Sequence, residues 1–413
     1  MSEIPNIARH KGKWFHITVL SFSALLAMGL WFSASAVVPQ LSAEWGLSDS
    51  QKAWMTLSVQ IGFVIGALLS AVLNLADRYS VRRLFTISAL LAALFNAAIP
   101  ALNPGPESAI LLRFLTGFAL AGVYPPGMKL MATWCKKDLG FGIGILVGAL
   151  SVGSALPHLL SAFPYLGENG IPEWRSVLYF SSALAVVGAA LAGFVLKAGP
   201  HLRESAPFDW QFVGRALSHR PTRLANFGYL GHMWELYAMW TWLPVFIILS
   251  YKSAGLSEQS ARVMGFSVIA VGLISCILAG KFADRLGRTK VTSWSMVISG
   301  VCSLTIGFFF HNPVIVSIIG LLWGFFVISD SAQFSAAVSE LTDSRYVGTA
   351  LALQTSMGFL LTMVSIRLIP ILSEQIGWNY VFMVLAIGPI IGTWSMLKLR
   401  ALPEATKMAS GNR

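Results

Sequence analysis

The sequence predicts an all-α polytopic membrane protein with twelve transmembrane helices, arranged as two six-helix repeats. Apolar residues make up 55% of the 413 residues and charged residues only 11%, whereas soluble domains contain about 25% charged residues. Twelve apolar runs are long enough to cross a bilayer, which takes about 20 residues. A short phrase, Ala-Asp-Arg, occurs at Asp77 and again 207 residues later at Asp284, and it suggests that the chain is built twice.

The predicted spans have limits that are accurate to a few residues. They are 14–38, 53–75, 84–102, 109–132, 140–163, 175–197, 223–250, 259–282, 291–310, 314–338, 347–373 and 379–400. The one long polar connection, 198–222, divides the chain into an N-terminal six-helix bundle, 1–197, and a C-terminal six-helix bundle, 223–413. Because the first apolar run is too long for a signal-peptide core, we expect it to be retained as the first span.

Lys and Arg residues predict the orientation of the chain in the membrane. Of the 29 Lys and Arg residues, 22 fall in segments on the side of the N-terminus, four on the other side and three inside spans. Positively charged loops are retained in the cytoplasm. We therefore expect a multi-pass plasma membrane protein, in a bacterial inner membrane, with both termini cytoplasmic. The net charge of +11 then reflects topology and not a nucleic-acid partner.

Other chemistries find no support in the sequence. Cys135, Cys276 and Cys302 lie in or beside apolar segments without a metal-ligand spacing, so we predict buried thiols and no metal or cofactor. The sequence contains no phosphate-binding loop, which would indicate an ATP-driven pump, and no nucleophile turn, which would indicate an enzyme. The expected partners are a small molecule, protons and lipid, with the protein acting as a monomer.

The repeated phrase resembles the loop signature of the major facilitator superfamily, Gly-x-x-x-Asp-Arg-x-Gly-Arg-Arg/Lys. The second copy, Gly280 to Arg288, matches it closely, whereas the first has Asn74 and Ser80 in place of glycines. Span four, from Arg113 to Gly122, is similar to the fourth-helix motif of that family. Gly117 also falls 207 residues before Gly324, as expected for two repeats. The resemblance covers essentially the whole chain and implies a secondary transporter that works by alternating access.

Two features bear on what such a transporter would carry. The stretch Val123–Gly127 and the glycine-rich fifth span are similar to the anion-transporting branches, which include the anion:cation symporters and the nitrate and cyanate permeases. The Gly-Pro motif of drug/proton antiporters is poorly matched, because Pro157 is displaced. We expect proton-coupled uptake of a small organic or inorganic anion. Proton-driven efflux of drugs or metabolites and a transporter-like sensor are the alternatives.

Charged residues inside the predicted spans are candidate site residues, because a charge within a bilayer is costly. They are Arg113, Lys129, Glu235, Asp330 and Arg367. The resemblance places helices one, four, seven and ten around the central cavity. Arg113, aided by Lys129, would bind the anion through its planar fork, while Glu235 or Asp330 would carry the proton. The structural alternatives are a salt bridge for Arg113, a polar pair between helices for Glu235 and a lysine at the membrane surface for Lys129.

Neighbouring residues complete the predicted pocket. His232 lies three residues before Glu235, and Gln333 lies three residues after Asp330, so the members of each pair share a helix face. Three aromatic residues on spans one, four and seven are added to the pocket: Trp31, Tyr124 and Tyr237. The alternative for such aromatic residues is contact with lipid at the membrane interface.

The two Asp-Arg loops predict a conformational latch. An Asp at a helix end can accept hydrogen bonds from the N-terminal amides of a neighbouring helix and pair with nearby Arg residues. The alternative is positive-inside topology with an incidental Asp. The predicted latch residues are Asp77, Arg78, Arg82, Asp284, Arg285 and Arg288. Two glycine pairs, Gly62 with Gly66 and Gly144 with Gly148, are predicted to allow close helix packing.

Overall fold

A computed structural model describes residues 8–135, 139–162, 173–201, 218–343 and 346–413. Within these ranges, 11 helices are long and apolar enough to cross a membrane, and a shorter apolar helix covers Gly12–Met28. The described residues contain no β-strand. These observations confirm the predicted all-α membrane fold with twelve helices, of which the first is the shortest.

The N-terminal half, residues 8–201, contains nine helices in its described part. They are α1 Ala8–Met28, α2 Val38–Trp45, α3 Asp49–Val72, α4 Leu75–Arg78, α5 Val81–Leu102, α6 Pro106–Leu120, α7 Tyr124–Trp134, α8 Leu139–Leu160 and α9 Trp174–Phe194. A capping box begins α3, because the Ser48 hydroxyl accepts from the Gln51 amide while the Gln51 side chain accepts from the Ser48 amide. Helices α6 and α7 form one span with a break between them.

The C-terminal half, residues 218–413, repeats this pattern. Its helices are α10 Arg220–Ser253, α11 Glu258–Ala270, α12 Gly272–Leu286, α13 Arg288–Thr305, α14 Pro313–Ser329, α15 Ser331–Leu341, α16 Val347–Ile376 and α17 Ile387–Arg400. Short 3-10 helices cover Ser35–Val37 in the first half and Ile306–Phe309, Val381–Ala386 and Pro403–Gly411 in the second. Broken spans are formed by α11 with α12 and by α14 with α15.

The first span differs from its predicted limits of 14–38. Helix α1 ends at Met28, and the chain then turns through residues 29–34 before the 3-10 helix. The carbonyl oxygens of Leu30 and Trp31 accept hydrogen bonds from the guanidinium of Arg113. Because a side chain satisfies these carbonyls, the backbone can leave the helix within the apolar region.

The duplication seen in the sequence is also present in the packing. A Cβ on Gly117 would overlap the carbonyl oxygen of Val59 in α3, and a Cβ on Gly324 would overlap the carbonyl oxygen of Val268 in α11. The break between α6 and α7 includes Val123, and the break between α14 and α15 lies at Asp330, 207 residues later. Both halves therefore place a glycine crossing and a helix break at equivalent positions.

The two predicted glycine pairs are confirmed as packing positions. Gly62 and Gly66 lie against the backbone of α6. In the second pair, a Cβ on Gly144 would lie 2.8 Å from the carbonyl oxygen of Cys276, and one on Gly148 would lie 2.7 Å from the Leu273 side chain. The first pair therefore packs helices within the N-terminal half, whereas the second brings α8 against α12 of the other half.

Two ends of the helix bundle are distinguished by their charged residues. We call the end that carries Arg78, Arg82, Arg285 and Lys290 the basic face, and the other end the opposite face. Most of the predicted central connection, 198–222, lies outside the described residues, so the predicted domain boundaries stay a prediction. The orientation of the two faces in the membrane stays a prediction as well.

Candidate functional site

Six aromatic side chains from both halves form a closed layer between the two faces. They are Trp31, Phe32, Phe63, Tyr237, Trp240 and Phe359, and each is buried. Ring centroids are 5.8 Å apart between Trp31 and Tyr237 and 4.9 Å apart between Phe63 and Phe359. We call this group the aromatic layer. The structure thus brings together two of the predicted pocket residues, Trp31 and Tyr237.

Polar contacts join the two halves beside the aromatic layer and on its side toward the opposite face. The hydroxyl of Thr362 in α16 donates to Oε1 of Gln60 in α3 at 2.7 Å. The guanidinium of Arg262 in α11 donates to the Ser161 hydroxyl, just beyond α8, at 2.9 Å. Arg262 is buried in this contact and also pairs with Glu258 at 2.6 Å. The path between the halves is therefore closed on this side of the molecule.

A buried histidine–aspartate pair lies nearer the basic face. The Nδ1 atom of His232 in α10 is 2.8 Å from Oδ1 of Asp330, and the two side chains are 1% and 2% exposed. Asp330 ends α14 and precedes α15. The His232 ring lies 5.6 Å from the Phe334 ring and 6.0 Å from the Tyr229 ring, between centroids. This arrangement brings two predicted site residues from different spans into one pair.

Glu235 does not share the surroundings of His232, contrary to the expectation from their spacing. Its Oε1 accepts from Trp323 Nε1 at 2.7 Å, and its Oε2 accepts from the Ser299 hydroxyl at 2.8 Å. These partners lie in α14 and α13, inside the C-terminal half. The carboxylate is therefore part of an internal network that joins three helices, as in the structural alternative.

Gln333 is placed one turn after Asp330 and faces a different partner. Its Oε1 accepts from Nη1 of Arg288 at 2.7 Å. The same guanidinium forms two bonds to Glu340, at 2.7 and 2.6 Å. Gln333 therefore connects the segment that carries Asp330 to the predicted latch.

Arg113 is fully buried and donates only to protein acceptors in the described part of the chain. Beyond the two carbonyls in the turn after α1, it donates to the Met55 carbonyl at 3.2 Å, to the Ser33 hydroxyl at 3.0 Å and to Asn96 Oδ1 at 3.1 Å. A bound anion would have to displace these contacts. The geometry therefore favours a structural role, although its form is a hydrogen-bond network and not the salt bridge considered from the sequence.

The remaining charged candidates lie near the two faces. The Lys129 ammonium donates to the carbonyl of Ala76 at 3.1 Å. Ala76 directly precedes Asp77 in the first Asp-Arg loop, close to the basic face. Arg367 is exposed and donates to the Ser50 hydroxyl at 3.4 Å, near the opposite face. Neither is brought to the His232–Asp330 pair.

Tyr124 is the first residue of α7, directly after the break in span four. Its side chain is partly buried and packs against the main hydrophobic core. Its place in the predicted pocket therefore stays a prediction.

The second predicted latch contains contacts both within and between the halves. Nη1 of Arg288 lies 3.5 Å from Oδ1 of Asp284. The Asp284 carboxylate also lies beside the first turn of α8, where a Cβ on Gly140 would be 3.2 Å from Oδ1. Arg285 is exposed on the basic face. An acidic group beside the N-terminus of a helix in the other half is the arrangement that the latch requires.

The first predicted latch is described only in part. The side chain of Asp77 lies outside the described residues. Arg78 is exposed, and Arg82 donates to the carbonyl of Leu196, after α9, at 3.3 Å. The bond of Arg82 stays within the N-terminal half, so the latch role of this loop stays a prediction.

Several central residues were not identified from the sequence. Gln60 and Gln354 are fully buried, and His158 is 8% exposed. Arg262 connects the halves through its bond to Ser161. The signal that identifies such residues is a polar side chain within or beside an apolar span.

The described residues contain no group of three His, Cys, Asp or Glu side chains that could hold a metal ion. Cys135, Cys276 and Cys302 are buried, which confirms the prediction of buried thiols.

Comparisons with known proteins agree with this architecture. The probable nitrate/nitrite antiporter NarK1 of Thermus thermophilus is 28% identical over 311 residues, which cover 70% of this chain and 66% of that protein, just under two thirds. The 4-hydroxybenzoate transporter PcaK of Pseudomonas aeruginosa is 24% identical over 331 residues, 71% of each chain. A solved structure of the proton:xylose symporter XylE covers 94% of this chain and 96% of its own, with a TM-score of 0.73 and 15% identity.

The sequence profile of the Major Facilitator Superfamily matches residues 20–278 and 226–412. These two ranges together span nearly the whole chain. The protein is therefore a multi-pass membrane transporter that belongs to the Major Facilitator Superfamily.

Proposed function

We propose that this transporter takes up a small anion together with protons, with its basic face and both termini in the cytoplasm. The observation that carries the proposal is the buried His232–Asp330 pair, whose atoms are 2.8 Å apart. The pair lies between two spans at a helix break, near the residues that fill the centre of the molecule. It is the place where a proton and a substrate charge can influence one another.

The charge of the pair supplies the coupling. A protonated imidazole beside a carboxylate is neutral as a unit, and one further proton gives the unit a charge of +1. Within a low-dielectric region this charge favours a nearby anion, and the anion in turn favours the proton. Binding of one therefore promotes binding of the other, and the loaded centre returns to neutrality.

Alternating access would move this centre between the two sides. We assign the two moving bodies to residues 1–197 and 223–413, linked by 198–222. The aromatic layer and the Arg262–Ser161 contact close one route, while the glycine contacts of α8 with α12 give the two bodies a surface on which to rock. Asp284, beside α8, is the latch near the basic face.

Similar proteins support an anionic substrate. Two relatives are named for nitrate or nitrite and for 4-hydroxybenzoate, which are small anions. The likeness to these proteins leaves open whether the anion is organic or inorganic.

Transport by purified protein in proteoliposomes tests the proposal. Labelled nitrate and labelled 4-hydroxybenzoate are offered with and without an imposed pH gradient, and uptake of at least one is expected to rise when the outside is acidic. Asp330→Asn should retain exchange of labelled for unlabelled anion but lose the stimulation by acid. Extrusion of anions or cations against a proton gradient, or uptake that ignores the gradient, would overturn it.

A further inference from the structure

The aromatic layer and its immediate surroundings contain buried polar atoms that no hydrogen bond satisfies. The indole Nε1 atoms of Trp31 and Trp240 and Nε2 of Gln60 have no partner within the part of the chain that the structure describes, and these side chains are at most 1% exposed. Nε2 of His158 is unpartnered as well, and the ring of His158 lies 6.5 Å from Phe32 between centroids. Buried groups of this kind are costly without a partner, so they mark a place where a ligand is expected.

Three of these groups share one chemical property, which is that they only donate. An indole N–H and an amide Nε2 have no capacity to accept. The acceptor of Gln60, its Oε1, is already used by Thr362. These three groups therefore offer donors and no free acceptor. This suits a carboxylate better than a polyol, whose hydroxyl groups must also donate.

The ring faces add a requirement for shape. The Trp31 ring contacts Phe63 at 5.1 Å, Tyr237 at 5.8 Å and Phe359 at 5.4 Å, measured between centroids. Phe63 lies in α3 of the same half, whereas Tyr237 and Phe359 lie in α10 and α16, so the last two contacts cross between the halves. When the halves separate, the ring–ring contacts between them are broken. A flat apolar ligand can replace those contacts. An ion such as nitrate would satisfy the donors but leave the ring faces uncovered.

We infer that the aromatic layer is a binding subsite for a planar organic acid. The ring of the acid stacks among Trp31, Tyr237 and Phe359, and its carboxylate receives N–H bonds from the two indoles and Gln60. The inference rests on the proposed function, because it specifies the substrate class of the same path. The His232–Asp330 pair provides the charge coupling, and the aromatic layer recognises the shape.

Two variants remove the indole N–H and leave a smaller aromatic ring in its place. Trp31→Phe and Trp240→Phe are each expected to weaken benzoate binding about tenfold, as for the loss of a hydrogen bond to a charged group. Neither should lower the melting temperature through loss of a hydrogen bond, since the indole N–H has no partner in this state. The matched control is Trp242→Phe on the same helix, whose Nε1 donates to the Ile366 carbonyl at 2.9 Å. This control should lower the melting temperature and leave the preference for benzoate unchanged.

Calorimetric titration of the full chain in lipid nanodiscs measures the binding directly. The probes are benzoate, cyclohexanecarboxylate, which lacks the flat ring, benzamide, which lacks the charge, and nitrate. Benzoate should bind about tenfold more tightly than cyclohexanecarboxylate or benzamide. Equal affinity for benzoate and cyclohexanecarboxylate would overturn the inference, and so would benzoate binding that both indole variants leave unchanged.

The outcomes separate this inference from the proposed function. If nitrate is taken up with protons while benzoate neither binds nor competes, the subsite is wrong and the proposed function stands. If benzoate binds in a manner that depends on the two indoles but no anion crosses the membrane, the proposed function is wrong and the subsite stands.

Discussion

His232 Nδ1 lies 2.8 Å from Asp330 Oδ1, in a pair that joins α10 to the break between α14 and α15. The break places Asp330 at the end of one helix and the start of the next, at the position equivalent to the break in span four of the other half. Two titratable groups that are far apart in the sequence thus become one unit at the centre of the chain.

The pair predicts the behaviour of a charge swap. His232→Gln leaves the Asp330 carboxyl group buried without its imidazole partner and should destabilise the protein by about 1–3 kcal/mol. The double variant His232→Asp with Asp330→His restores an imidazole beside a carboxyl group and should recover part of this loss. Thermal unfolding in detergent, read by light scattering and intrinsic fluorescence, measures both. Equal melting temperatures for the wild type and His232→Gln would show that the pair does not contribute to stability.

Arg113 gives a prediction that separates a structural role from a substrate role. Arg113→Lys keeps the charge, but the lysine ammonium cannot form all the hydrogen bonds that the guanidinium donates to the carbonyls, the hydroxyl and the amide. The free energy of unfolding should therefore fall by roughly 2–4 kcal/mol. The KM for the anion in the protein that folds should stay near the wild-type value. Arg78→Lys, on the exposed basic face, is the control. A raised KM with an unchanged melting temperature would return Arg113 to the substrate site.

Gly324 predicts a steric effect at a helix crossing. Gly324→Ala places a Cβ on the Val268 carbonyl oxygen, and the two helices must move apart, at a cost of about 1–3 kcal/mol or more. Gly348→Ala is a matched control, because a Cβ there meets nothing within 4 Å. The yield of folded protein and the melting temperature should drop for the first variant alone. A fall of similar size in both would point to a general intolerance of alanine.

Asp284 predicts a defect in movement without a defect in folding. Asp284→Asn removes the negative charge beside the first turn of α8. The interaction of such a charge with a helix terminus is about 1 kcal/mol, which corresponds to a roughly fivefold change in the equilibrium between the conformations with the latch closed and open. Transport in proteoliposomes should slow by about that factor while the amount of inserted protein is unchanged. Lys281→Gln, an exposed change on the same helix, should have little effect. Normal transport by Asp284→Asn would exclude the latch.

Glu44 predicts a pH dependence on the opposite face. Two hydrogen bonds from Arg175, at 2.6 and 3.2 Å, and one from Trp174 at 2.6 Å lower the pKa of Glu44 below its ordinary value of 4.5. The contact therefore stabilises the fold at pH values above the unfolded pKa, and this stabilisation is lost as the pH falls through the lower folded pKa. The melting temperatures of the wild type and Glu44→Gln should differ at pH ~6 and converge toward pH ~3.

A double-mutant cycle with Arg175→Gln checks the cause of this pH dependence. The coupling between Glu44 and Arg175 should be about 0.5–1 kcal/mol, because the pair is partly exposed to water and screened. The stability lost by the double variant should be smaller than the sum of the losses of the two single variants, and the difference should equal this coupling energy. A difference between wild type and Glu44→Gln that persists at low pH would mean that ionisation of Glu44 is not its source.

The sequence was informative about fold because its signals are local or repeated. Apolar runs of sufficient length determine the spans, since backbone groups in lipid must be satisfied within a helix. The 207-residue spacing between Gly117 and Gly324 predicts that the two glycines occupy equivalent positions in the two repeats. The limit of the first span was wrong because its helix is ended by Arg113, a side chain from another span.

The candidate site was only partly predictable. Asp330 and His232 were each identified as polar residues in apolar spans, but their pairing depends on how α10 packs against the broken tenth span. Glu235 was assigned to the same pocket as His232 from a spacing of three residues. The packing of α13 and α14 directs it elsewhere, to Ser299 and Trp323.

By itself the sequence determined that the chain is a twelve-helix membrane protein of two repeats. The length of the apolar runs, the charge bias of the loops and the internal duplication are all features of the linear sequence. Only the tertiary structure decided which polar side chains meet. The aromatic layer, the His232–Asp330 pair and the enclosure of Arg113 each combine residues from several helices. Their distances depend on helix rotation and breaks, which glycine crossings and side-chain contacts set after the chain has folded.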